Sequence, residues 1–317
     1  THLQPNGDLL VNVDYVGTVR LDACGTVQWR LPEGTHHAID EAADGSFWMP
    51  ALQPTQRRAS DRYPEGYPGL NTPVWIDQLL QVSAEGTVLD RITVLDVLYD
   101  NNLQRYLARA HQPQGKMNGL STPDVTHLND IESLPPRLAD EYPLFEAGDL
   151  LLSLRNLHLV LVLDPDSGVV KWHASEPFIM QHDPDFIGDG WIGVFDNNTD
   201  RTERGTMTGG SRIVALQPHT DSVTVRFPTA QSAPFHTPKM GKWQHLDNGN
   251  LLLTEAQAGR AVEVNPKGES VWELVRAPYS ATETPIITQA TRYPLTRSAV
   301  EDWTCSDASK SSAPTSR

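Results

Sequence analysis

Apolar runs of four to six residues recur along the chain, generally fenced by Gly, Pro, Asp or Asn: Leu150 to Leu154, His158 to Leu163, Ile192 to Phe195, Arg212 to Leu216, Leu251 to Glu255 and Ala261 to Val264. Short runs rich in Val, Leu and Ile between turn formers predict β-strands. The strands are grouped. An Asp/Asn-Gly turn, an apolar strand, and a second turn into a strand that often ends in Trp appear five times. The first copy is Pro5-Asn6-Gly7-Asp8-Leu9-Leu10-Val11 with Leu21 to Trp29, and the last is Asp247-Asn248-Gly249-Asn250-Leu251-Leu252-Leu253 with Val264 to Trp272. Between them lie copies at Ala43 to Trp48 with Val82 to Val88, Ala147 to Leu152 with Leu163 to Trp172, and Gly188 to Ile192 with Leu216 to Val223. A repeat of about 50 residues built from short strands marks a radial array, so the pattern predicts an all-β fold, a β-propeller, as one domain over residues 1–305.

Two insertions interrupt the period, Ala51 to Leu70 and Asp96 to Pro123. Within the second, Val97, Leu98, Leu103, Tyr106 and Leu107 fall near helical spacing and predict a short surface helix over Val97 to Ala110. Long excursions on a propeller either wall the channel mouth or pack outside and mediate an assembly contact. The Ser-rich stretch 306–317 reads as a disordered tail.

A histidine stands a few residues upstream of the Gly turn in Thr35-His36-His37-Ala38-Ile39-Asp40, in Gln181-His182-Asp183 and in Trp243-Gln244-His245, and His127 precedes its turn at a longer distance. Equivalent positions of equivalent blades lie at equivalent radii, so imidazoles remote in sequence are expected to gather at one mouth of the central channel.

Composition narrows the functional classes. A formal charge of −15 argues against nucleic acid, which needs a basic face. The longest apolar run, Leu157 to Leu163, is strand-length and far short of the roughly 20 residues of a spanning helix. Thr1 opens no Met-led signal, and an upstream export segment is expected to have been removed or left out. Cys24 and Cys305 stand near opposite ends, where a ring-closing disulfide would need them; two unrelated buried thiols are the alternative. A bridge would imply an oxidising compartment.

Four segments carry the candidate chemistry: Asp124-Val125-Thr126-His127-Leu128-Asn129-Asp130, Leu151-Leu152-Ser153-Leu154-Arg155-Asn156, Gln181-His182-Asp183-Pro184-Asp185-Phe186, and Val194-Phe195-Asp196-Asn197-Asn198 with Arg201 beyond. Together with Asn248-Gly249-Asn250-Leu251-Leu252-Leu253-Thr254-Glu255, they resemble the bacterial arylsulfate sulfotransferase superfamily over Thr35 to Leu274. The resemblance implies six blades, and nucleotide-independent transfer of a sulfuryl group from an aryl sulfate to a phenol. It also implies a periplasmic or extracellular location.

The chemistry suits the residue types. Sulfuryl transfer develops charge on the bridging oxygen while a nucleophile attacks in line, so cations and hydrogen-bond donors must converge on the ester. Imidazole can act as nucleophile, acid or base near neutral pH, and the guanidinium fork fits a tetrahedral oxyanion. By resemblance His127 matches the family's first active-site histidine, and His182 with Arg201 its anion-binding pair. The nucleophilic histidine belongs near the start of the last unit. Related chains place it between Gly-Lys and Gln, whereas Gly241-Lys242-Trp243-Gln244-His245 offers His245 one rung along. Arg155, Asn156, Asn129, His37 and Trp243 are the candidate substrate-binding residues, Trp243 by stacking on a phenyl ring.

No His-Glu-x-x-His, Cys pair or Walker-type Gly-Lys-Ser/Thr loop is present, so neither a metal nor a cofactor is expected. Should the displaced His245 remove the nucleophile, the alternative is a non-catalytic ligand-binding or protein-assembly module.

Overall fold

The structure is a computed structural model and describes residues 1–109, 116–117, 120–121, 124–202, 204–280 and 283–303. Five four-stranded antiparallel sheets follow one another along the chain, each meandering from an inner strand outward. Blade 1 holds β1 (His2–Leu3), β2 (Leu9–Val13), β3 (Gly17–Leu21) and β4 (Val27–Leu31). Blade 2 holds β5 (Asp40–Glu41), β6 (Phe47–Leu52), β7 (Asp77–Val82) and β8 (Val88–Thr93). After helix α1 (Val94–Asp100) and a small ribbon of β9 (Lys116–Met117) and β10 (Leu120–Ser121) comes blade 3: β11 (Leu128–Ser133), β12 (Leu150–Leu154), β13 (Leu159–Leu163) and β14 (Val170–Ala174). The turn α2 (Pro136–Ala139) lies between β11 and β12. Blade 4 holds β15 (His182–Phe186), β16 (Ile192–Asp196), β17 (Arg212–Gln217) and β18 (Ser222–Phe227). Blade 5 holds β19 (Trp243–His245), β20 (Leu251–Glu255), β21 (Arg260–Val264) and β22 (Ser270–Val275).

The legible repeats are therefore the blades. The inner hairpins of blades 1, 2, 4 and 5 close on the Asp/Asn-Gly turn read from the sequence, with Gly45 and Gly249 both at φ 80°, a left-handed conformation that costs a glycine nothing, whereas residues 134–149, with α2, join β11 to β12 in blade 3. β12, apolar except for Ser153, and the all-apolar β13 are buried on both faces. Leu150, Leu152, Leu154, Leu159, Leu161 and Leu163 turn toward blade 2, while Leu151, Val160 and Val162 turn toward blade 4. Period-2 alternation thus feeds two cores from one strand, which explains the uninterrupted apolar run.

Apolar clusters of this kind fill the boundaries between blades 1 and 2, 2 and 3, 3 and 4, and 4 and 5. Blades 5 and 1 are joined differently. The segment 283–303 lies across the boundary: Ala290 N–H donates to Thr254 Oγ1, Arg292 binds Glu263 at 2.6 Å, Leu3 N–H donates to the Tyr293 hydroxyl, and Trp303 Nε1 donates to Pro5 O. This corrects the expectation of six blades. The stretch from Gln289 does not complete a sixth sheet with N-terminal strands; it remains coil plus the short helix α3 (Arg297–Glu301), and blade 1 draws all four strands from residues 2–31.

The helix expected over Val97 to Ala110 begins earlier, as α1, and continues as a 3-10 stretch over Gln104–Arg109. Tyr63 and Tyr67 of the first insertion pack with Tyr99 at ring distances of 5.0–5.4 Å and extend the core between blades 2 and 3. Cys305 and the expected tail 306–317 lie outside the described residues. Among the described residues, no helix is long and apolar enough to cross a membrane.

Candidate functional site

The inner strands enter the ring through backbone kinks. His37 (φ 54°) precedes β5, His127 (φ 51°) precedes β11, and Asp183 (φ 47°) follows His182 as a bulged residue in β15. Non-glycine residues in this region are uncommon and carry strain, and these three lie where the inner strands of three consecutive blades begin. Hydrogen bonds from the neighbouring turn hold the kinks. Arg155 N–H donates to His127 O, Asn156 N–H to Thr126 O, and His36 N–H to Pro50 O.

Four imidazoles meet there. The ring centroids of His36 and His37 lie 4.9 Å apart and those of His37 and His127 5.2 Å apart, both edge-to-face, with the Tyr15 ring 5.0 Å from His36. Asp124 Oδ2 accepts a very short hydrogen bond from His127 Nδ1. His182 Nδ1 donates to Asn197 Oδ1 at 2.5 Å and approaches Met180 O at 3.1 Å. These partners are acceptors, so in the neutral rings of His127 and His182 the proton sits on Nδ1 and Nε2 carries the lone pair. Arg155 enters beside them from the end of β12. Its Nη1 donates to Asn156 Oδ1 at 3.3 Å, while its buried Nε has no partner. Asn156 in turn donates to Asp124 O at 2.7 Å, tying the guanidinium to the loop that carries His127.

The charges are mutually tuned. Burial holds the His37 pKa well below its ordinary value, and the positive fields of His36, His127, His182 and Arg155 add to this. His182 is lowered for the same reasons, burial first and then Arg155. Burial would raise Asp124, but the hydrogen bond and charge of His127, with His36 and Arg155 beyond, hold it below the usual carboxylate range. The Tyr15 phenol is pushed up by burial and by Asp124, Asp77 and Asp14. Two imidazoles of the cluster, His37 and His182, are therefore held neutral beside one fixed cation, a setting that welcomes an anion.

Below the imidazoles runs an axial cavity of about 140 Å³, bordered by His37, Asp40, Asp130, Glu132, Asp183, Asp185 and Lys242. Lys242 Nζ bridges blades 3 and 4 from blade 5, binding Asp130 at 3.0 Å and Asp183 more closely still. Burial raises Asp130 to about 7 despite Lys242, because one ammonium cannot neutralise Asp130 and Asp183 together. The groove between blades 1 and 2 at Arg20, Trp29 and Ala84, about 290 Å³, holds no such cluster. Among the described residues no group of three or more His, Cys, Asp or Glu is arranged to hold a metal ion.

Of the sequence candidates, His37, His127, His182, Arg155 and Asn156 come together. Asn129 lies at the bulge of β11 and clamps blade 3 to blade 4 by donating to Gln181 O. Three do not join the cluster. His245 pairs with Leu251 at the turn end of β19, where Ser133 and Phe186 stand in blades 3 and 4, and it is exposed. Counting four residues back from the turn end gives His37 in blade 2, His182 in blade 4 and Gly241 in blade 5. That slot has no room for an imidazole, since a Cβ on Gly241 would meet the Phe195 ring at 2.6 Å. Trp243 is buried between blades, its indole over Gly193 and its Nε1 donating to Asp183 O, so it fills a blade interface instead of offering a stacking face. Arg201 is exposed on the loop after β16 and is not among the charges that perturb His182.

His36, Asp77, Asp124 and Tyr15 were missed as site residues. The adjacency of His36 to His37 and of Asp124 to His127 was the available signal for two of them; nothing in the sequence brings Asp77 or Tyr15 to this level.

The comparisons agree with this architecture. The family model described as arylsulfotransferase (ASST) matches residues 3–277. No curated protein matches the chain. Among solved structures, a protein of unknown function from Bacteroides caccae is 14% identical, with 90% of this chain and 83% of that one covered at a TM-score of 0.55. A streptogramin B lyase is 12% identical, with coverage of 89% and 69% and a TM-score of 0.47. The Staphylococcus aureus virginiamycin B lyase bound to quinupristin is 12% identical, with coverage of 87% and 68% and a TM-score of 0.45. At such identity the first of these speaks for the fold alone.

Proposed function

The chain belongs to the arylsulfotransferase family, and on that premise we propose that it moves a sulfuryl group from an aryl sulfate to a phenolic acceptor at the His37, His127, His182 and Arg155 cluster. The observation that carries this reading is the Asp124–His127 pair beside a buried guanidinium with an unpartnered Nε. A carboxylate on Nδ1 makes Nε2 of His127 a better nucleophile than that of His182, whose partner is the neutral Asn197 amide. His127 Nε2 attacks sulfur, the S–O(aryl) bond breaks, and the electron pair leaves on the aryl oxygen. The acceptor oxygen then attacks sulfur and the N–S bond breaks. Arg155 binds the non-bridging oxygens throughout, and an anion in the pocket favours protonation of His182, whose Nε2–H becomes a donor to it. No nucleotide, metal or cofactor enters these steps.

Release of the chromogenic phenol from an aryl sulfate, with a second phenol as acceptor, tests the reading. Wild type turns over, His127→Ala loses about 10³-fold or more, and His245→Ala stays near wild type. Undiminished turnover in His127→Ala, or none in the wild type, refutes it. A second reading rests on Gly241, which leaves the blade 5 slot without an imidazole. A wild type that binds aryl sulfate without releasing phenol supports an anion-binding module instead.

The family also points to an exported protein, and the cystine between Cys24 and Cys305 belongs with that reading. Trp303, two residues before Cys305, already packs on the Gly7 turn beside Ala23. An intact mass that rises by two hydrogens on reduction is expected; an unchanged mass removes the bond.

A further inference from the structure

His36 is almost fully buried, at 2% exposure, and is not among the residues that border the axial cavity. It instead connects two other groups. Its Nδ1 stands 2.7 Å from Nδ1 of His37, a separation at which the two nitrogens must share one proton. Its Nε2 faces Asp77 Oδ1 at 3.6 Å. Asp77, equally buried, is fixed from the other side: its Oδ2 accepts from the Thr126 hydroxyl at 2.5 Å and from Leu128 N–H at 2.9 Å.

With the Asp77 carboxylate facing it, Nε2 of His36 is assigned the proton and Nδ1 is left as an acceptor. His37 must then hold its own proton on Nδ1, which leaves its Nε2 bare. Among the described residues no protein group donates to that nitrogen, and His37 borders both the axial cavity and the ring of His127. The 3.6 Å gap exceeds a hydrogen bond, and His36 Nε2 is a buried polar atom without a partner. Catalytic contacts are often long before substrate arrives and tighten as charge develops. The Tyr15 ring lies 5.0 Å from His36 at an interplanar angle of 33°.

We infer that Asp77, His36 and His37 form a proton relay in which Nε2 of His37 is the base for the acceptor phenol, with His36 and Asp77 as positioning residues. The inference rests on the sulfuryl-transfer reading above. In the acceptor step the phenol O–H bond breaks as the O–S bond forms and the N–S bond to His127 breaks. The proton passes to His37 Nε2, and Nδ1–H strengthens its bond to His36, whose Nε2–H closes on Asp77. In the next donor step the same proton goes to the departing aryl oxide, so a cycle consumes none. Burial, with His36, His127, His182 and Arg155 facing it, keeps His37 neutral before the phenol arrives.

The test separates the half-reactions. With an aryl sulfate of good leaving group and no acceptor, wild type and His36→Gln give the same burst of released aryl oxide, whereas His37→Gln, which also removes the acid of the donor step, gives a slower one. Transfer to an ordinary phenol, with a pKa of about 10, falls by about 10²-fold in both variants. Transfer to pentafluorophenol, ionised at the assay pH, changes little in His36→Gln. Asp77→Asn moves the acid limb of the acceptor step to lower pH; because Asp77 also anchors Thr126 and Leu128, His36→Gln stands in if that variant fails to fold. Equal losses with both acceptors, or no loss with either, overturn the relay while a normal burst keeps the transferase reading. A wild type without a burst overturns the transferase reading, and the relay with it.

Discussion

Asp124 and Asp130 show how similar carboxyls acquire opposite roles within one ring. Asp124 is held below its ordinary pKa, chiefly by the His127 hydrogen bond working against burial. A depressed carboxyl contributes stability above its unfolded pKa of about 4, and that contribution is lost as the pH falls through the folded value. Asp130 is raised to about 7 by burial, with Asp183 adding to it and Lys242 opposing. Its sign is reversed: the contribution is full below the unfolded pKa and is lost as the pH rises through about 7. Glu132 and Asp185, raised well above their ordinary values by burial first, act in the same direction around the same cavity. Thermal melts at pH 5.5 and 8 should therefore show wild type losing stability at the higher pH, and Asp130→Asn losing less of it. A variant with the same pH slope as wild type contradicts this account.

At the scale of elements, strand existence and order were legible because four of the five blades repeat the same punctuation, an Asp/Asn-Gly turn followed by an apolar strand. The gathering of His37, His127 and His182 was legible for the same reason. What could not be read was register at the inner strands. Bulges at Asn129 and Asp183 insert a residue that period-2 counting cannot see, and they decide which side chains turn to the axis. His245 misled for a related reason. Its distance from the Asn248-Gly249 turn places it at the turn end of β19, whereas the imidazoles of the cluster stand at the opposite end of their strands. Trp243 was read as a stacking face, but Gly193 across the blade boundary provides the space that receives its ring, a pairing between distant residues invisible in either segment. Asp77 enters the cluster from the start of β7, brought there by hydrogen bonds to Thr126 and Leu128 of the next blade.

The whole molecule differs from the expected ring in one respect with mechanical consequences. Four blade boundaries are sealed by apolar clusters, whereas the boundary between blades 5 and 1 is held by polar bonds from 283–303. The outer strand β22 is exposed along its length, including Val271, Trp272, Leu274 and Val275. The imidazole cluster sits on blades 2, 3 and 4, on the far side from that seam, where the apolar boundaries are continuous. Placing preorganised groups on the most firmly packed sector keeps their separations fixed, as electrostatic catalysis requires. The central claim is that His127 carries the sulfuryl group between donor and acceptor. The most direct measurement is peptide mapping by mass spectrometry after incubation with an aryl sulfate, no acceptor, and an alkaline quench. The account predicts one sulfuryl group on His127 of the wild type, discharged on adding a phenol; a label on another residue, or turnover with no labelled intermediate, contradicts it.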